Sequence, residues 1–125
     1  SRASYDLQGW TDLTVFLRER NRNFLIIGDT LVTYGLLGKP SVAPNLWFHP
    51  GLTMPEPSET TFASYEQTLM DRIRHHDVGY IVVEGNATRL GFDVDQLPRL
   101  SDWLASEWRL VHTFGRNRVY EPIGR

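Results

Sequence analysis

Two short runs without a charged side chain, Phe24-Leu25-Ile26-Ile27 and Val78-Gly79-Tyr80-Ile81-Val82-Val83, constrain this chain more than anything else in it. A short apolar run closed by turn residues, Gly28 after the first and Glu84-Gly85 after the second, is the pattern of a strand covered on both faces. Such strands need helices on either side, and the flanking sequence supplies candidates. From Asp6 to Arg20 the residues Trp10, Leu13, Phe16 and Leu17 recur at helical spacing, with Arg18 and Arg20 late, where the helix dipole favours cations. Asp29 or Thr30 caps a two-turn helix carrying Leu31, Tyr34 and Leu37, which Gly38 and Pro40 end. Ser58 to Thr61 offers several caps for a helix with the stripe Phe62, Tyr65, Leu69 and Ile73, running to about His76. A last helix spans Leu97 to Trp108, with Asp95 near its start, Pro98 in its first turn, and Leu97, Leu100, Trp103 and Leu104 facing inward.

Leu110 to Phe114 and Arg118 to Glu121 read as two strands joined by Gly115, Arg116 and Asn117, a hairpin with a left-handed residue at Gly or Asn. Strands alternating with helices favour right-handed crossovers. The expected fold class is therefore α/β, a mostly parallel sheet with helices packed on it and a C-terminal antiparallel hairpin. Residues 40 to 60 hold five prolines, Pro40, Pro44, Pro50, Pro55 and Pro57, and are expected to be irregular. The 125 residues suit one domain, 1–125, and 41% apolar against 22% charged residues suits a chain that folds on its own.

Composition removes several function classes. There is no cysteine, so disulfides, thiolate catalysis and Cys-ligated metals are excluded. Thirteen basic against fifteen acidic residues give a net charge of −2, and no stretch concentrates either sign, which argues against nucleic acid as a partner. No run is long and apolar enough to cross a bilayer, and no basic-then-apolar signal opens the chain. Ser1 stands where an initiator Met is expected, and the chain is read as a piece of a longer protein.

Candidate chemistry gathers at the carboxyl ends of the two buried strands. After Ile27 the chain reads Gly28-Asp29-Thr30-Leu31, without the further glycines that a dinucleotide's pyrophosphate requires. Asp29 still occupies a strand end and helix start, as either a helix cap or a ligand-binding carboxylate. Glu84 holds the equivalent place on the second run, as a turn residue or as one of a carboxylate pair that binds sugar hydroxyls or works as acid and base. Trp47 and His49, within Leu46-Trp47-Phe48-His49-Pro50, either plug a sheet edge or offer a sugar ring a flat face and a hydrogen bond. His75 and His76 are adjacent and point about 100° apart on a helix, which is unsuited to one metal. No GxSxG elbow is present, and Asn86-Ala87-Thr88 matches a glycosylation acceptor only as a chance triplet. No catalytic residue, metal or cofactor is assigned.

Taken in order, several segments resemble the extracytoplasmic C-terminal domain of polytopic, polyprenyl-phosphate-sugar-dependent glycosyltransferases of the GT-C type, the protein mannosyltransferase-like and arabinosyltransferase-like bacterial membrane enzymes. They are Ile26-Ile27-Gly28-Asp29 followed by Tyr34-Gly35-Leu36-Leu37-Gly38-Lys39-Pro40, then Asp77-Val78-Gly79-Tyr80-Ile81-Val82-Val83, then Leu100 to Trp108 leading into Phe114-Gly115-Arg116-Asn117-Arg118-Val119-Tyr120. The resemblance runs from about Phe24 to Pro122. It implies a parent that transfers a sugar from a lipid phosphate on the outer face of a membrane, with its catalytic carboxylate elsewhere in the polypeptide. This domain would then be noncatalytic alone, would partner the membrane-embedded part of the same polypeptide, and would meet a carbohydrate or lipid-linked sugar through Asp29, Tyr34, Trp47 or His49. The rival expectations are a free-standing small enzyme built on Asp29, Glu84 and His49, and a flavodoxin-like binding module.

Overall fold

The computed structural model describes residues 7–28, 55, 58–84 and 94–124. Among them are the helices α1 (Leu7–Arg20), α2 (Phe62–His75) and α3 (Pro98–Glu107), and the strands β1 (Phe24–Ile27), β2 (Tyr80–Glu84), β3 (Trp108–Phe114) and β4 (Asn117–Pro122). The strands form one sheet in the order β1-β2-β4-β3. The expected short helix after Asp29 and most of the proline-rich segment lie outside the described residues.

The class is α/β, but the sheet is mixed and not mostly parallel. β1 and β2 run parallel, with Leu25 opposite Ile81 and Ile27 opposite Val83, whereas β4 pairs antiparallel with both β2 and β3. β3 does run in the direction of β2, as a crossover through α3 requires. It is not β2's neighbour, because β4 enters between them. Docking the hairpin through β4 places Val119, which is fully buried, opposite Val82 in the core. β3 is left at the edge with Arg109, Leu110, His112 and Thr113 exposed. Its register shift between Leu110 and His112 interrupts the ladder, a common feature of edge strands.

Every residue of β1 and β2 is buried. Phe24, Ile26, Tyr80 and Val82 pack with Val119 against Trp10, Leu13, Phe16 and Leu17 of α1. The alternate residues Leu25, Ile27, Ile81 and Val83 pack against Leu69, Met70 and Ile73 of α2 and Leu100 and Leu104 of α3. This period-two division between two helical layers is why both strands read as unbroken apolar runs.

The helix ends depart from the sequence expectation in one respect. Thr61, at the N-cap of α2, makes no side-chain cap bond, because its backbone is already helical (φ −83°, ψ −4°) and does not aim its hydroxyl at the next amides. The N-cap of α3 is Leu97, which has no side chain suited to capping. Glu66 substitutes for it from α2: its Oε2 accepts a hydrogen bond from the Leu100 N–H at 2.9 Å, with the residue only 1% exposed. A carboxylate at a helix N-terminus meets unpaired N–H groups and the positive end of the dipole, which offsets its desolvation. Gln67 and Arg99 bond across the same helix pair, and Arg74 lies 4.6 Å over the Trp103 ring.

At its other end α2 closes with a paired bond set: Val78 N donates to Ile73 O at 3.3 Å and Asp77 N to Arg74 O at 3.2 Å, with Asp77 left-handed at φ 51°. Asn21 ends α1 similarly, at φ 53° with its N–H on Leu17 O at 3.1 Å. The hairpin loop is Gly115-Arg116, since Phe114 pairs directly with Asn117, and Gly115 takes the left-handed conformation at φ 60°. Asn117 therefore belongs to the strand and not to the turn.

Two outcomes are expected in urea denaturation. Asp77→Ala lowers stability by about 1 kcal/mol while Asp77→Gly holds or raises it, because only glycine adopts the left-handed cap without steric cost. Glu66→Leu costs about 2 kcal/mol by leaving the Leu100 N–H unpaired, and Glu66→Gln, which keeps an acceptor, costs less than about 1 kcal/mol.

Candidate functional site

Because β1 and β2 are parallel and in register, their carboxyl ends lie side by side, and Gly28 and Glu84 come together there. Open α/β sheets bind ligands at this edge. Glu84 is 8% exposed and its side chain crosses the face of Gly28. A Cβ on Gly28 would sit 2.7 Å from the Glu84 Cβ and closer still to Oε1, so the missing side chain makes room for the carboxylate.

β4 brings a third residue to this edge. Asn117 is the register partner of Glu84 on one side and of Phe114 on the other. Residues directly opposite share a sheet face. Val82 and Val119, one alternation further along, belong to the α1 layer, so Glu84, Asn117 and Phe114 lie on that face. Phe114 packs tilted on Phe16 of α1 at 5.4 Å and stacks on His112 at 5.5 Å. Asn117 is 1% exposed, and neither its Nδ2 nor its Oδ1 has a hydrogen-bond partner. A buried amide left so costs about 1–3 kcal/mol, so Asn117 is the side chain at this edge with hydrogen-bonding capacity to spare.

Of the residues singled out from sequence, Glu84 is at the predicted strand end, while Asp29, Tyr34, Trp47 and His49 lie outside the described residues. His75 and His76 stand with rings 5.2 Å apart and perpendicular, both exposed at the C-terminal end of α2, at the opposite edge of the sheet. Among the described residues no group of three His, Asp or Glu comes together in a metal-holding arrangement. Asn117 was not legible as a site residue, since an Asn beside Gly-Arg reads as a turn. Only its pairing with Glu84 gives it chemistry.

Among the described residues two clefts of about 400 Å³ each open at the opposite edge, one bordered by Asn21, Arg22, Asp77 and Gly79, the other by Arg74, Trp103, Glu107 and Ile123, with Pro122 shared. Several side chains in or beside them are already engaged. Glu121 receives Arg109 Nη2 at 2.8 Å and Arg22 Nη1 at 3.6 Å, Asn23 Nδ2 donates to His76 O at 2.7 Å, and Arg74 covers Trp103. The carboxyl edge is thus the stronger candidate although neither cleft lies there.

No protein-family model, curated protein or solved structure matches the chain.

Gly28→Ala is expected to cost about 1–3 kcal/mol by overpacking. The penalty falls when Glu84→Gly is introduced alongside it, a coupling that a double-mutant cycle by chemical denaturation measures.

Proposed function

We propose that this chain is an extracytoplasmic accessory domain of a membrane glycosyltransferase that uses a lipid-phosphate-linked sugar donor, with the transfer chemistry carried elsewhere in the same polypeptide. The observation that carries this reading is the orientation of the polar edge relative to the start of the chain's first helix. Three residues separate the end of α1 from the start of β1, so α1 runs back along the sheet. Phe16 touches both Tyr80, at the start of β2, and Phe114, at the end of β3. The residues before Phe16 therefore extend toward the carboxyl edge, where Gly28, Glu84 and Asn117 lie. A polypeptide leaving a membrane-embedded part and entering α1 would present this edge to the membrane and to a sugar held at its surface.

The order of elements supports the same reading. The segments that resemble the glycosyltransferase domain fall, where described, on β1, β2, α3 and the β3–β4 hairpin. No described helix is long and apolar enough to cross a membrane, and in this reading the spans belong to another part of the polypeptide. A second reading, a free-standing ligand-binding module or small enzyme with its site at the same strand ends, draws on Glu84 and Asn117 alone.

The coding sequence upstream of Ser1 separates the two. The accessory-domain reading expects several hydrophobic segments of about 20 residues each; a start codon immediately before Ser1 overturns it. In parallel, the 125-residue chain incubated with a polyprenyl-phosphate sugar and a glycan acceptor is expected to show no transfer. Turnover by the chain alone overturns the noncatalytic assignment.

A further inference from the structure

We propose that the cleft bordered by the last turns of α2 and α3 binds a small zwitterion with an apolar side chain, an α-amino acid of the leucine or phenylalanine kind, whose carboxylate meets Arg74 and whose ammonium meets Glu107. This second site lies at the opposite edge of the sheet from Gly28, Glu84 and Asn117, and the proposal does not rest on the glycosyltransferase reading.

The cleft gives such a ligand room and access, since its volume of about 400 Å³ falls within the range of small-molecule sites and it opens at the surface. Its floor is apolar. Trp108 and Pro122 are buried, and the Trp103 and Trp108 rings meet edge to face at 5.5 Å. Ile123 beside them is 55% exposed, and its N–H donates to the Glu107 carbonyl at 3.0 Å, which holds this apolar side chain against the end of α3.

The charges select the ligand. Arg74 and Glu107 both touch the Trp103 indole: the guanidinium lies 4.6 Å over the ring, and Glu107 Oε1 accepts from the indole N–H at 3.4 Å. They do not pair with each other. Among the described residues the ion-pair partner of Arg74 is Asp71, at 3.4 Å, with both side chains more than half exposed. A surface pair of this kind is worth little and yields readily to another anion. A guanidinium carries five N–H donors and a carboxylate about four acceptor sites, so one long hydrogen bond on each leaves most of that capacity free. The cleft therefore holds a cation and an anion that border the same ring without joining. A ligand with a negative group alone answers Arg74 and is repelled by Glu107, an amine alone is repelled by Arg74, and a neutral molecule leaves both charges unanswered. A zwitterion answers both at once. Its carboxylate takes the fork of the guanidinium, its ammonium donates to Glu107, and its side chain covers Ile123 and the tryptophan floor.

The test uses the 125-residue chain labelled with nitrogen-15 and follows the indole N–H signal of Trp103 by NMR. L-Leucine and L-phenylalanine are the probes. Leucinamide lacks the carboxylate, 4-methylpentanoate lacks the ammonium, and glycine lacks the side chain. At least one of the two amino acids is expected to shift the Trp103 signal saturably, with each control weaker by about tenfold or more, the loss of a charge-assisted contact or of the apolar burial. Arg74→Gln is expected to weaken the amino acid about tenfold and to leave leucinamide unchanged or tighter; Glu107→Gln is expected to weaken it similarly and to leave 4-methylpentanoate unchanged or tighter. Both substituted side chains are exposed, so the two variants are expected to keep the wild-type Tm to within a few degrees. The proposal is overturned if neither amino acid shifts Trp103, if leucinamide and 4-methylpentanoate bind as tightly as the amino acid, or if both variants bind it as the wild type does. A variant that weakens the amino acid and its matched control equally overturns it as well, by showing that the substitution disturbs the cleft and not one charged contact.

Discussion

Covering both faces of the parallel pair β1–β2 is the constraint from which the rest of this structure follows. All residues of the two strands are buried, so neither face can meet water. α1 closes one face with Trp10, Leu13, Phe16 and Leu17, and α2 and α3 close the other with Leu69, Met70, Ile73, Leu100 and Leu104. β2 must also satisfy its backbone on the side away from β1, and β4 does so. Once β4 is inside, β3 is necessarily the edge, and its polar side chains and register shift are what an edge strand tolerates. The carboxyl ends of the strands then meet the first residue of β4, which is how Gly28, Glu84 and Asn117 come to share one end of the sheet.

Two polar side chains inside this arrangement contrast with each other. Glu66 and Asn117 are equally inaccessible to solvent. Glu66 lies at the N-terminus of α3, where the Leu100 N–H would otherwise be unpaired, so the carboxylate and the helix end satisfy one another. Its burial is explained entirely by folding. Asn117 has no such partner. That asymmetry favours the carboxyl edge over the two clefts described at the opposite edge, beside which Arg22, Glu121 and Arg109 form an ion-pair cluster and Arg74 covers Trp103.

The elements themselves were largely legible. Phe24–Ile27 was readable as β1 to the residue, and α2 and α3 end within a residue of the spans read from the sequence, which ran to about His76 and from Leu97 to Trp108. Such segments are decided locally, by periodicity and by the breakers that flank them. Glu84 was legible as a strand-end carboxylate for the same reason. Less was visible wherever two distant segments meet. Nothing in the stripe Phe62, Tyr65, Leu69 and Ile73 marks Glu66 as the cap of a helix more than thirty residues further on. Nothing in Gly115-Arg116-Asn117 says that the asparagine begins a strand opposite Glu84.

The amino-acid pattern alone established an α/β chain with two doubly covered strands, amphipathic helices around them and a closing hairpin, because apolar spacing and turn chemistry act over a few residues. Strand order is different in kind. β3 and β4 are both short and mixed in polarity, and either can face β2 without violating any local preference. The choice falls to the packing of Val119 against Val82, with the polar residues of β3 left at the edge. That choice, made only when the whole sheet assembles, is also what buries Asn117 beside Glu84 at the carboxyl edge.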